Sequence, residues 1–230
     1  MVKRLNRLFN LSRGNSYRNA HIASHDFVSV DLELTGLDDK RDAILSIGAV
    51  KMTGGKILLS ECFYRLINPK IPFHGPSITI HGITPADVHA SDGIEKVLRE
   101  FIDFCGDDII VGHCVEIDMA FLGREIRKLT GRPFRNKSVD TLAVYKWLSH
   151  RHYHVDNAPR HPSLYEIAKH FSISTEISHN AMMDAYIAAQ LFQRFTHALQ
   201  RCGVQKIGDL LRIGNSSKGG IHTPGEFSNF

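Results

Sequence analysis

The chain has 230 residues, 43% of them hydrophobic and 23% charged, with a formal net charge of +4. Those figures suit one globular domain with a substantial core. No apolar run nears the roughly 18 residues of a membrane span. Cys62, Cys105, Cys114 and Cys202 make no CxxC pair, so a helical membrane protein, a disulfide framework and a zinc ribbon are excluded, and a cytoplasmic location is expected.

Residues 1–25 form a basic head: Lys3, Arg4, Arg7, Arg13 and Arg18 all precede the first acid, Asp26. Such a head suits a polyanionic partner, or is simply a solvated basic helix. A mitochondrial transit peptide has a similar composition, but ranks lower, because Val2, Leu5, Leu8 and Phe9 can pack on the domain as a short helix.

The domain proper is expected over 26–202. Residues 27–34 alternate with period two, Val28, Val30, Leu32 and Leu34 on one face and Phe27, Ser29, Asp31 and Glu33 on the other, which predicts a strand. Residues 43–52 and 56–67 read as further strands, and Thr53-Gly54-Gly55 between them is a hairpin signal. Thr84 and Pro85 mark a helix start, and Ile94, Val97, Leu98, Phe101, Ile102 and Cys105 follow helical spacing. Residues 108–113 predict a buried strand, followed by a helix carrying Phe121, Leu122, Glu125 and Ile126. Residues 137–140 predict a last strand running into a helix over 141–148, and helices over 163–171 and 179–201 close the domain. The pattern predicts an α/β fold, a mixed five-stranded sheet flanked by helices. Residues 203–230 form a tail, expected to be flexible beyond about 214 from its Gly and Ser content.

Asp31, Glu33, Asp118 and Asp184 occupy positions where the pattern calls for burial; Asp184 shares a stripe with Ala181, Ala188, Leu191 and Phe195. A single buried carboxylate can cap a helix or pair with an arginine. Several from distant segments repel one another unless a cation neutralises them. Oxygen-only donors favour Mg²⁺ or Mn²⁺, and two such ions roughly 4 Å apart would clamp an in-line phosphoryl displacement. His179, five residues before Asp184, then suits a general base for the attacking water.

Five segments occur in a telling order: Asp31-Leu32-Glu33-Leu34-Thr35-Gly36-Leu37, ILSIGAV, His81-Gly82-Ile83-Thr84, VGHCVEIDMAFL, and His179 with Asp184. Asp140-Thr141-Leu142 and Ser163-Leu164 add two landmarks. Over roughly residues 26–200 the chain resembles the DEDDh 3′→5′ exonucleases, in the DnaQ-like branch of DNA polymerase III epsilon proofreading subunits. The resemblance implies an RNase H-like sheet and two-metal hydrolysis of a terminal phosphodiester, releasing nucleoside monophosphates from single-stranded DNA. It implies that Asp31 bridges both ions, that Glu33 and Asp184 complete one site, and that Asp118 supports the second. His179 would be the base, and Thr35, Gly36, Leu37 and His81 would contact the terminal nucleotide. Cys114 and Ile117 depart from the family, which has Asn and an aromatic residue there; neither is a metal ligand, so the departures bear on substrate fit.

Weaker signals remain. His150, His152, His154 and His161 lie in one stretch, read as a solvated loop near the site rim. Competing readings are an exoribonuclease acting on short RNA and a non-catalytic nucleic-acid-binding module of a replication or repair assembly, with or without a polymerase partner.

Overall fold

The computed structural model describes residues 14–73, 75–151, 162–176 and 179–215. The helix expected around Val2, Leu5, Leu8 and Phe9, the histidines at 152, 154 and 161, and the tail beyond 215 lie outside the described residues.

Five strands form one mixed sheet in the order β3-β2-β1-β4-β5: β1 (Asp26–Leu34), β2 (Ile44–Thr53), β3 (Lys56–Leu66), β4 (Ile109–Gly112) and β5 (Ser138–Asp140). The first three make the expected antiparallel meander, and β4 and β5 run parallel to β1. Gly54 and Gly55 turn the β2–β3 hairpin with φ of 56° and 77°; a two-residue turn that needs positive φ at both centres matches the strand twist. The helices are α1 (Gly14–Asn19), α2 (Pro76–His81), α3 (Pro85–His89), α4 (Ile94–Cys105), α5 (Glu116–Thr130), α6 (Thr141–Arg151), α7 (Leu164–His170), α8 (Ala181–Arg201) and α9 (Ile207–Gly214).

Strand alternation places a core on each side of the sheet. Val28, Val30, Ile47 and Ala49 pack against Val97, Phe101, Phe121 and Leu122 of α4 and α5. Phe27, Val50 and Met52 pack against Ile187, Phe192 and Phe195 of α8, Phe27 meeting Phe192 edge-on with ring centroids 4.9 Å apart. Beyond residue 202, Ile207, Leu210 and Ile213 of α9 join the α8-side core.

Two local features differ from the sequence reading. The last long helix starts at Ala181, because Asn180 caps it by accepting from the Met182 and Met183 N–H groups, whereas His179 stands outside it at φ 55°. Helix α2 has no counterpart in that reading; it forms one wall of the site.

The pairing of β1 explains where a site can form. Along β1 the β4 pairing covers only Phe27 to Ser29, so Asp31 and Glu33 project beyond the carboxyl end of β4. On the other side a register shift between Glu33 and Leu34 ends the regular β2 pairing. A crevice outside the carboxyl ends of strands, where neighbouring connections diverge, is the usual ligand position in such sheets.

Candidate active site

The crevice has a volume of about 340 Å³ and is walled by Asp31, Glu33, Gly36, Leu37, Ile80, His81, Cys114, Asp118, Tyr165, His179 and Asp184, among others. All four candidate acids and His179 therefore open on one space. Donor oxygens of Asp31, Glu33 and Asp184 lie within 4.8 Å of one another. Asp118, third residue of α5, opens on the same crevice.

Close approach of α8 brings Asp184 there. Gly48 of β2 pairs with Asp31, and a β-carbon at Gly48 would overlap the Ala181 carbonyl carbon and the Met182 nitrogen. The helix thus touches bare backbone beside Asp31, and its first turn carries Asp184 into the crevice. Glycine in ILSIGAV accordingly serves access rather than flexibility.

Tyr165 was not singled out by the sequence reading. Its hydroxyl donates to Asp184 Oδ2 at 2.6 Å and accepts from the His179 N–H at 2.8 Å. The ring meets the His179 imidazole edge-on with centroids 5.1 Å apart. One phenol therefore fixes both the positive-φ turn that presents His179 and the rotamer of Asp184. Tyr165 is itself held by the α7 capping box, in which Ser163 and Glu166 satisfy each other's backbone N–H groups. A residue 19 positions from Asp184 in sequence gives no periodic signal; its only hint was adjacency to Ser163-Leu164.

Asp140 was noted only as a landmark, and its role is structural. Its Oδ1 accepts from the Cys114 N–H at 3.0 Å and the Leu142 N–H at 2.8 Å, tying the turn after β4 to the start of α6. Cys114 takes φ 52° in that turn; burial and then the Asp140 carboxylate push its thiol up to about 12, so it is an inert wall. His113 beside it contacts Thr141 Oγ1 at 3.0 Å, and burial lowers its pKa to about 4.

The expected nucleotide-contacting residues divide. Gly36, Leu37 and His81 line the crevice, where Leu37 and Ile80 are exposed apolar residues. Thr35 does not: its hydroxyl donates to Asp42 at 2.9 Å and accepts from the Ala43 N–H at 3.0 Å, so it braces the loop that carries Gly36 and Leu37. His81 Nδ1 accepts from the Ile83 N–H at 3.0 Å, and burial lowers the ring's pKa.

Electrostatics distinguish this cluster from a set of ion pairs. Glu33, Asp118 and Asp184 are 5–7% exposed. Burial, followed by the Asp118, Asp184 and Glu33 charges, raises the Asp31 carboxyl well above its ordinary value. Burial, then Asp184 and Asp118, pushes Glu33 up to about 8. Burial pushes Asp118 to about 8 as well, against hydrogen bonds from its own and the Leu32 backbone. Burial also raises Asp184, opposed by Tyr165 and His179. Asp184 Oδ1 is buried with no hydrogen-bond partner. An orphan carboxylate oxygen facing other unpaired carboxylates fits a bound hard cation.

The exonuclease family model, of the RNase T type, matches residues 28–192. The epsilon subunit of DNA polymerase III from Aquifex aeolicus is 35% identical over 175 residues, covering 75% of this chain and 81% of that protein. The PolC-type DNA polymerase III of Thermotoga maritima is 34% identical over 188 residues, but the chain spans only 13% of its length. E. coli Exonuclease I, solved in complex with a dT13 oligonucleotide, matches 78% of this chain and 43% of that one with a TM-score of 0.69 at 17% identity. Exonuclease X, solved with 5′ overhanging duplex DNA, covers 80% of this chain and 99% of that one with a TM-score of 0.60 at 21% identity. At such identities the two structures speak for the fold alone, which is RNase H-like. From the family match and the epsilon-subunit relative together, this chain belongs to the exonuclease family of nucleic-acid hydrolases.

Proposed function

We propose that the chain is a 3′→5′ exonuclease that hydrolyses terminal phosphodiester bonds of single-stranded DNA with two divalent cations, Mg²⁺ or Mn²⁺, and releases nucleoside monophosphates. The observation that carries this reading is the buried, unpartnered Asp184 Oδ1 within 4.8 Å of donor oxygens on Asp31 and Glu33. Asp31, Glu33 and Asp184 would hold one ion, and Asp118, with Asp31, the other. When bound, the ions would supply Lewis acidity at the phosphate and neutralise charge that develops there.

The chain's own residues do the rest. His179, facing the crevice, would accept the proton of the attacking water. Tyr165 holds the His179 backbone and Asp184 in fixed relation through its hydroxyl, and its ring packs edge-on against the imidazole. Leu37 and Ile80 at the rims would grip the terminal nucleoside by apolar contact, with His81 beside them. The DNA polymerase III epsilon relative supports DNA as the polymer.

The test is degradation of 3′-labelled against 5′-labelled single-stranded DNA with Mn²⁺, beside the Asp184→Ala variant and matched RNA. The 3′ label should leave at once as mononucleotide while the 5′ label runs down a ladder. Unchanged turnover in Asp184→Ala would sink the reading. Faster cleavage of RNA would move the substrate to RNA, since the 2′-OH separates the two. Binding without turnover under any divalent ion would favour a binding module.

A further inference from the structure

We propose a second nucleic-acid contact: a groove at the amino end of β5 that holds the sugar–phosphate backbone of the strand whose 3′ end enters the crevice. The proposal rests on the exonuclease reading above. The groove, about 880 Å³, is lined by Tyr17, Arg18, Lys137, Lys206, Arg212 and Asn215, among others.

Most of its cations lack an acidic partner, unlike those of a second groove lined by Lys40, Arg41, Arg124 and Lys128. In that second groove Arg41 pairs with Asp38 at 3.3 Å, and Arg124 and Lys128 pair with Glu125 at 2.6 and 2.9 Å. In the groove Arg212 pairs with Asp209 at 2.9 Å. Among the described residues Arg18, Lys137 and Lys206 enter no ion pair, and all three are exposed. Exposed cations without acidic partners attract polyanions and release counterions on binding.

The groove is also built rather than incidental. The Ile207 N–H donates to the Ala20 carbonyl at 3.0 Å, and the Ile22 N–H to the Gln205 carbonyl at 2.8 Å. Gly208 brings α9 against the Arg18 backbone, where a β-carbon would sit 3.1 Å from the Arg18 carbonyl oxygen. Asn215 donates to the Ser138 and Leu211 carbonyls at 3.1 and 2.8 Å. The cations therefore sit on cross-linked backbone with fixed spacing.

Its position matches a strand leaving the crevice. Lys137 immediately precedes β5, and Asp140 at the other end of β5 anchors the Cys114 turn in the crevice wall. Three strand residues span about 10 Å, so groove and crevice flank the same edge strand. A few nucleotides suffice to bridge them, within the roughly 4–16 nucleotides that a single-strand groove typically engages.

The test compares wild type with the Lys137→Glu/Lys206→Glu double variant, which breaks no ion pair among the described residues. With Mn²⁺, KM for single-stranded DNA longer than about 16 nucleotides should rise about tenfold. KM for oligonucleotides shorter than about 4 nucleotides should stay within about twofold. Anisotropy binding of the long strand should lose about 1.4 from its log–log salt slope, at about 0.7 per phosphate contact. Equal behaviour of variant and wild type on the long strand would overturn the groove. A wild type that binds the long strand in a groove-dependent way without cutting it would instead overturn the exonuclease reading and leave the groove standing.

Discussion

The two faces of β1 are both buried, yet only one of them makes a site. Toward α4 and α5, Val28, Val30 and Leu32 continue the core without interruption. Toward α8 the face begins as core, with Phe27 against Phe192, passes Ser29, whose buried hydroxyl has no partner, and ends in Asp31 and Glu33. Burial therefore does not separate the two faces. What separates them is how far β4 pairs along the strand, and whether the helix above presents an aromatic side chain or a capped N-terminal turn.

The sharpest break of that comparison pairs Asp31→Ala with Val28→Ala. Asp31→Ala should cut turnover about a thousandfold, removing several kcal/mol of charge stabilisation at 1.36 kcal/mol per tenfold, and should leave a folded protein. Val28→Ala should cost about 2 kcal/mol of stability in urea with turnover per folded molecule intact. If Val28→Ala abolished turnover in folded protein, the division between the faces would fail.

Next in size is Gly48→Ala. The added methyl meets helix backbone rather than a movable side chain, so the loss should reach about 3 kcal/mol, the upper part of the overpacking range. Mn²⁺ affinity, read by calorimetry, should fall with it as α8 is pushed off the sheet. A variant with unaltered affinity would show that Asp184 is placed by something other than this contact.

Tyr165→Phe keeps the ring and removes the hydroxyl bridge. Mn²⁺ affinity and kcat should each drop about tenfold or somewhat more, the usual effect of losing a group that orients a ligand, while KM for DNA holds. Asp184 free to turn would account for that pattern; a change in KM alone would not.

The smallest effect is a pH dependence of the metal-free protein. Glu33 and Asp118 rise from ordinary values of 4.5 and 3.8 to about 8 on folding. Their ionised forms are thus penalised in the folded state, so stability falls as pH rises from about 4 to about 8 and levels off above that. His113, lowered to about 4, acts in the opposite sense, destabilising the fold only as pH falls below its ordinary value of 6.5. Between about pH 7 and pH 9 in chelator, each carboxyl should cost roughly 1 kcal/mol, or about 2–4 °C of melting temperature. Added Mn²⁺ should abolish the slope. A flat metal-free profile would contradict the burial of these carboxylates as unpaired acids.

Much of this was legible before any coordinates. Strand alternation set Asp31 and Glu33 on one face, and helical register set Asp184 against the core. Helix α9 carries Ile207, Leu210 and Ile213 at helical spacing, a signal that the sequence reading did not use. Tyr165 and Asp140 were hidden for a different reason: each acts through hydrogen bonds to residues far away in sequence, and spacing does not encode such pairs. His179 stood one capping residue outside its expected helix because an Asn that follows it is the better N-cap. Thr35 belonged to its motif without reaching the crevice, its hydroxyl being taken up by Asp42.

The carboxylates also set a schedule. Asp31 comes from β1 and Asp184 from α8, so the cluster closes a loop of more than half the chain. Contacts this distant form late, after local elements have condensed. On the ribosome, no nascent chain can complete the cluster before residue 184 has emerged and α8 has docked onto Gly48. A nuclease assembled in this order would stay inert until α8 has docked.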